Sequence, residues 1–139
     1  MAMDENALLL GIEGMRSDSN YYAAEVLRRK LGGAEYLVTN TKENGTEQAA
    51  AQLLVATWEA IAILMRGVKT KDKIYEATPI SHMFEELKPA IDHFRKQCPE
   101  FAAEFEKLHT DYGAWLRKKK KSATYVSSAC DGLLHARFG

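Results

Sequence analysis

The feature that most constrains this chain is the stretch from Thr46 to Gly67, in which apolar residues follow one another with hardly a charge among them. Ala51, Leu54, Val55, Trp58, Ile61, Ala62 and Met65 fit the i, i+3, i+4, i+7 template of an amphipathic helix. Leu53, Ala56, Ala60, Ile63 and Leu64 are apolar as well. At about 100° per residue, Gln48, Gln52, Glu59 and Arg66 fall within about 40° of one another, which leaves only a narrow polar stripe. The spacing predicts a helix from Thr46 to Arg66, with Asn44 or Thr46 as N-cap and Gly67 in the left-handed position after its end. Such a helix must be covered on most sides, either as the centre of one bundle or as an element shared between two chains.

A membrane span is the competing reading. Ala49 to Met65 is apolar apart from Gln52, Thr57 and Glu59. That length falls about one turn short of the roughly 20 residues a span needs, and a carboxylate in mid-segment is costly in hydrocarbon. A buried bundle helix is the expectation, with no membrane partner.

The rest of the chain is arranged around this helix. Three prolines and nine glycines in 139 residues mark elements joined by short turns, and no repeat or low-complexity linker is visible. Residues 1–139 read as one domain: N-terminal helices and a loop over 1–45, a helical core over 46–121, and a short C-terminal helix or tail over 122–139. Leu8, Leu9, Ile12 and Met15 line one side of a segment from Glu5 to Met15, weakened by Gly11 and Gly14. A second helix is expected from Tyr21 to Leu31, with Ala23, Val26, Leu27 and Leu31 inward and Gly32-Gly33 as its stop. Glu35 to Thr39 carries strand-favouring residues but has no partner strand, so a loop is expected through Gly45.

Beyond Gly67, Thr70 is placed to cap a short helix through Ala77, with Ile74 and Ala77 inward. Thr78-Pro79 then gives an N-cap followed by proline, and Ile80, Met83, Phe84, Leu87, Ile91, Phe94 and Cys98 form one seam, with Pro89 opposite it to kink or divide the helix. Cys98-Pro99-Glu100 restarts the pattern, and Phe101, Phe105, Leu108, Tyr112 and Trp115 repeat at four, three, four, three. Two seams joined by a tight turn imply an antiparallel helical hairpin. The fold class expected is all-α: a helical bundle in which the central apolar helix packs on that hairpin. Val126, Ala129, Cys130, Leu133 and Leu134 suggest a last short helix interrupted by Gly132.

Nineteen basic and nineteen acidic side chains cancel, so no global field steers the protein toward nucleic acid or anionic membrane. One local block stands out. Arg117, Lys118, Lys119, Lys120 and Lys121 could contact phosphates, with Trp115 and Tyr125 nearby for stacking. Cations at a helix C-terminus also simply complement its dipole. Nucleic-acid binding through this run is therefore the alternative function, behind a protein partner.

His82, Glu86 and His93 lie on one side of the predicted helix, opposite its seam, in a pattern that can hold a metal for hydrolysis. His93 is two turns from Glu86, too far to share an ion without a kink at Pro89, so solvated residues are expected and neither a metal nor another cofactor is predicted. Ser127-Ser128, Cys130, Asp131 and His135 cluster in sequence only. No catalytic residue is assigned, because a Gly-rich phosphate loop, an H-E-x-x-H pair, a nucleophile elbow and a C-x-x-C pair are all missing. Two cysteines without paired spacing, Cys98 and Cys130, read as free core thiols in a reducing compartment. The acidic Asp4 and Glu5 ahead of Leu8 do not make a secretory signal, and the cytoplasm is the expected location. Trp58 and Trp115 read as core anchors.

From Trp58 to about Leu116 the chain resembles a family of small helical proteins of bacteria and their phages known only as a domain of unknown function. The resemblance runs through W-E-A-I-A-I-L-M-R-G at Trp58 to Gly67, I-Y-E at Ile74 to Glu76, L-K-P-A-I at Leu87 to Ile91 and P-E-F-A-A-E-F-E-K-L at Pro99 to Leu108. It implies a helical bundle and supplies no functional residues. Many members look anchored to a membrane at the N-terminus, a feature this sequence departs from. Together these features lead to an expected non-enzymatic interaction module, a homo-oligomeric regulator or a phage-encoded inhibitor that occupies a host protein.

Overall fold

In the computed structural model, residues 4–120 are described, and the expected C-terminal helix, Cys130 and Lys121 lie outside them. Among the described residues the chain is an all-α bundle without strands. Its helices are α1 (Glu5–Ser17), α2 (Ser19–Leu31), α3 (Glu35–Val38), α4 (Thr46–Met65), α5 (Asp72–Ala77), α6 (Ile80–Arg95) and α7 (Ala103–Lys120). The apolar helix α4 is the hub, packed against α1, α2, α3, α6 and α7, while α6 and α7 form the hairpin. Its inward face buries Ala51, Leu54, Val55, Trp58 and Ile61 completely, and the Trp58 indole stacks on Phe105 of α7 at 5.6 Å. Phe84 of α6 meets the same Phe105 edge-on at 5.2 Å, so three helices share one aromatic cluster.

Several boundaries depart from the sequence expectation, each for a local reason. Gly67 is not left-handed. The end of α4 tightens instead through i to i−3 bonds from Arg66, Gly67 and Val68 to Ile63, Leu64 and Met65, and Val68 is drawn into the core. At the other end the N-cap is Gly45, while Asn44 takes φ 61. Residues Glu35–Val38, expected as loop, form a helical turn because Leu37 and Val38 are buried there, which outweighs their strand preference. The short helix α5 starts after Lys71 rather than Thr70, and it buries Ile74 and Tyr75 while Ala77 is exposed. Pro79 is itself the N-cap of α6, and Thr78 is buried beneath it. Pro89 does not divide α6, since it sits on the exposed side where solvent can reach the Glu85 carbonyl it leaves unmatched.

The hairpin turn is longer than the Cys98-Pro99 junction suggests. Residues 96–102 make successive turns, Ala102 takes φ 65, and α7 starts only at Ala103. Cys98 is exposed in that turn, beyond the helix whose seam it was expected to continue, so the core-thiol reading of it fails. The start of α7 is fixed from outside its own sequence. The Glu59 carboxylate of α4 accepts hydrogen bonds from the backbone N–H of Phe105 at 2.7 Å and of Glu104 at 3.2 Å. A carboxylate on the free N–H groups of a helix start satisfies them and complements the dipole.

Helix α2 turns a different face inward from the one its apolar residues mark. Ala23 and Val26 are exposed, Leu31 is 39% exposed and Leu27 only half-buried. The residues actually buried are Tyr21, Ala24, Glu25 and Arg28, again at i, i+3, i+4, i+7. The Arg28 guanidinium donates to both Glu25 oxygens, at 2.9 and 3.1 Å, and to Glu86 of α6 at 3.0 Å. Tyr21 accepts a 2.9 Å hydrogen bond from the Trp58 indole N–H. Burial, with Glu25 nearby, pushes the Tyr21 phenol up to about 12. Arg28 is pulled down by burial, but the hydrogen bond and charge of Glu25, with the charge of Glu86, outweigh that and raise it. The polar face has a partner for each charge it buries, which is what makes an inward Arg28 tolerable.

Candidate interaction surface

The basic run does not gather into a face. Arg117, Lys118, Lys119 and Lys120 are consecutive on α7 and so point in four directions around it. Lys119 lies 3.9 Å from Asp72 and over the Trp115 ring at 5.8 Å, and the Trp115 N–H donates to Asp72 at 2.6 Å. Trp115 is thus a half-buried clasp between α7 and α5 rather than a fully enclosed anchor or an open stacking platform. Arg117, Lys118 and Lys120 are exposed.

His82, Glu86 and His93 are not brought together as a site. Glu86 is taken by Arg28, and His93 packs edge-on against Phe94 and lines a cleft with Gln48, Gln52 and Gln97. Among the described residues no three His, Cys, Asp or Glu side chains are placed to hold a metal ion.

One chemical cluster was not anticipated, because its members are far apart in sequence. Ser81 Oγ of α6 lies 2.9 Å from His109 Nδ1 of α7, and His109 Nε2 lies 3.7 Å from Glu85. The ring of His109 stacks on Phe84 at 4.4 Å. The residue types resemble a nucleophile, base and orienting acid, but the Glu85 side chain is 65% exposed and stands beyond hydrogen-bond distance. The arrangement works as a polar clasp between the arms of the hairpin. Its signal in sequence is only the i, i+4 pair of Ser81 and Glu85.

The least satisfied surface belongs to α4. Opposite its core face, Ala49, Leu53, Ala56, Ala60, Ile63 and Leu64 are all exposed, with Ile63 at 45% and Leu53 and Leu64 at 37%. The expectation that this helix would be covered on most sides therefore fails on one side. There, Leu53, Ala56, Thr57 and Ala60 form the floor of an open trough of about 470 Å³ whose far wall is Gly14, Met15, Asp18 and Tyr21 of α1 and α2. Polar groups border the strip: Gln52 is exposed, Glu59 is engaged on α7, and Arg66 pairs with Glu104 at 3.3 Å. On α1, Leu10 is 74% exposed, and a Cβ at Gly11 or Gly14 would meet nothing within 4 Å. Among the described residues α4 is the one helix long and apolar enough to cross a membrane, yet its other face forms the core of the bundle.

No protein-family model matches this chain, and no curated protein or solved structure is significantly similar to it.

Proposed function

We propose that this protein is a non-enzymatic interaction module that works by seating a helix of a protein partner along the exposed face of α4. The observation that supports this is the continuous strip from Ala49 to Leu64, apolar and outward-facing on a helix whose other side is fully used by the core. A contiguous exposed apolar strip with polar edges is the usual mark of a protein-binding surface. Three small alanines let a partner backbone approach closely, while Leu53, Ile63 and Leu64 supply the apolar contacts. Binding of this kind would let the protein regulate or inhibit what it occupies, in the reducing interior of a cell where Cys98 stays a free thiol. The test is affinity capture from the native host with the full chain and with a Leu53→Lys/Ile63→Lys variant. Both positions are exposed, so the variant is expected to keep the wild-type circular dichroism and melt while losing the captured partner. Equal capture by both proteins would sink the reading.

A further inference from the structure

Resting on that reading, we infer that the partner seated on α4 is a second copy of this chain, with the two α4 helices antiparallel about a two-fold axis between Ala56 and Ala60. Ala49, Leu53, Ala56, Ala60 and Ile63 follow one another on α4 at spacings of four, three, four and three, and Gly67 stands four residues further on, in the turn that closes the helix. That is the alternation of a and d positions in a coiled-coil seam, and here it lies on the face turned away from the core. The order of sizes along it is small, large, small, small, large, small, and it reads the same in both directions. An isologous interface needs such a surface, because the same patch must fit itself after a half-turn.

Centred between Ala56 and Ala60, the half-turn sets Leu53 against Ile63 of the second copy and Ala56 against Ala60, with Ala49 toward the turn at Gly67. Every layer then joins an a position to a d position, large residues meet large ones, and the small central layers let the backbones come close. Along the polar edge, Gln52 falls opposite Arg66 of the second copy, an uncharged acceptor facing a cation. The two copies of Glu59 meet near the axis, each with both carboxylate oxygens already accepting from the start of α7. Opposed helix dipoles favour the antiparallel choice over the parallel one. Because α4 is only 20 residues long, the contact is at the small end of stable interfaces, and the dimer is expected to dissociate on dilution.

Sedimentation equilibrium of the full chain over a concentration series is expected to show twice the monomer mass at high concentration. Ala60→Glu, which puts a carboxylate into both central layers, is expected to weaken the dimer at least tenfold with an unchanged melt. In a Cys98→Ser/Cys130→Ser background, Leu53→Cys mixed with Ile63→Cys is expected to form an interchain disulfide under mild oxidation, and neither variant alone. A strict monomer, or a dimer that Ala60→Glu leaves intact, would overturn self-pairing. So would cross-linking of Leu53→Cys to itself, the mark of a parallel pair. With Cys98→Ser alone, an intrachain disulfide between Leu53→Cys and Cys130 would instead assign the trough to residues 121–139 and overturn it too. A monomer that still captures a different protein in a Leu53- and Ile63-dependent way defeats self-pairing and leaves the interaction-module reading standing. Seam variants that change neither mass nor capture defeat both.

Discussion

Among the described residues Arg28 is the most deeply buried charged side chain. It is 3% exposed, and its charge is answered by Glu25 two-pronged and by Glu86 across the helix interface. Removing the sole partner of a buried charge costs about 3 to 5 kcal/mol, and Glu86, which stays beside Arg28, holds the loss of Glu25 below that. Glu25→Gln is therefore expected to lower the urea midpoint strongly with an unchanged slope, whereas Glu25→Met/Arg28→Leu is expected to recover much of the loss. Equal effects of the single and double changes would contradict this account. Tyr21 gives the protein an alkaline limit. Its folded pKa, about 12, lies above the ordinary 10, so the phenol stabilises the fold fully below pH 10. Between pH 10 and 12 the unfolded chain releases that proton and the folded one does not, and up to about 3 kcal/mol is lost across the window. Tyr21→Phe forfeits the Trp58 hydrogen bond but is expected to flatten the fall in melting temperature over that range.

At the scale of the element, helices α4, α6 and the body of α7 were legible in the sequence because apolar periodicity reports burial directly. Helix α2 was not, since its buried face includes Glu25 and Arg28, which periodicity counts as surface. The start of α7 was illegible for another reason: its cap is Glu59, a residue with no local relation to it. The exposed strip of α4 could be foreseen as a surplus of apolar residues, but which of them stay outside depends on where α1 and α2 lie. The glycines of α1 offer a test of what that helix is for. With nothing within 4 Å of a Cβ at Gly11 or Gly14, alanine there is expected to stabilise by about 0.5 to 1 kcal/mol each through helix propensity. Gly32 behaves oppositely. At φ 98 it ends α2 in the left-handed region, and Gly32→Ala is expected to cost about 1 kcal/mol in thermal unfolding.

For the whole molecule, balanced charge and a two-sided central helix leave an apolar strip as the surface with most to gain from contact. The basic end of α7 has a smaller part. Replacing Lys118, Lys119 and Lys120 with glutamine is expected to leave the proposed self-association through α4 unchanged in sedimentation and to shift the melt by no more than about 1 kcal/mol in stability, since the Lys119 contact with Asp72 is partly exposed. A larger effect on association would place the contact at that end and not on α4.

The bond from Glu59 to the start of α7 also bears on the order in which the molecule can form. The closing arm of the hairpin takes its start signal from elsewhere, since the residue that caps its first turn lies 45 positions earlier than Glu104. During synthesis α4 emerges first, already holding the carboxylate that α7 will need. A detached piece spanning α6 and α7 would still have its apolar seam, yet its second helix would fray from Ala103 inward, because the instruction for where to begin is kept in another part of the chain.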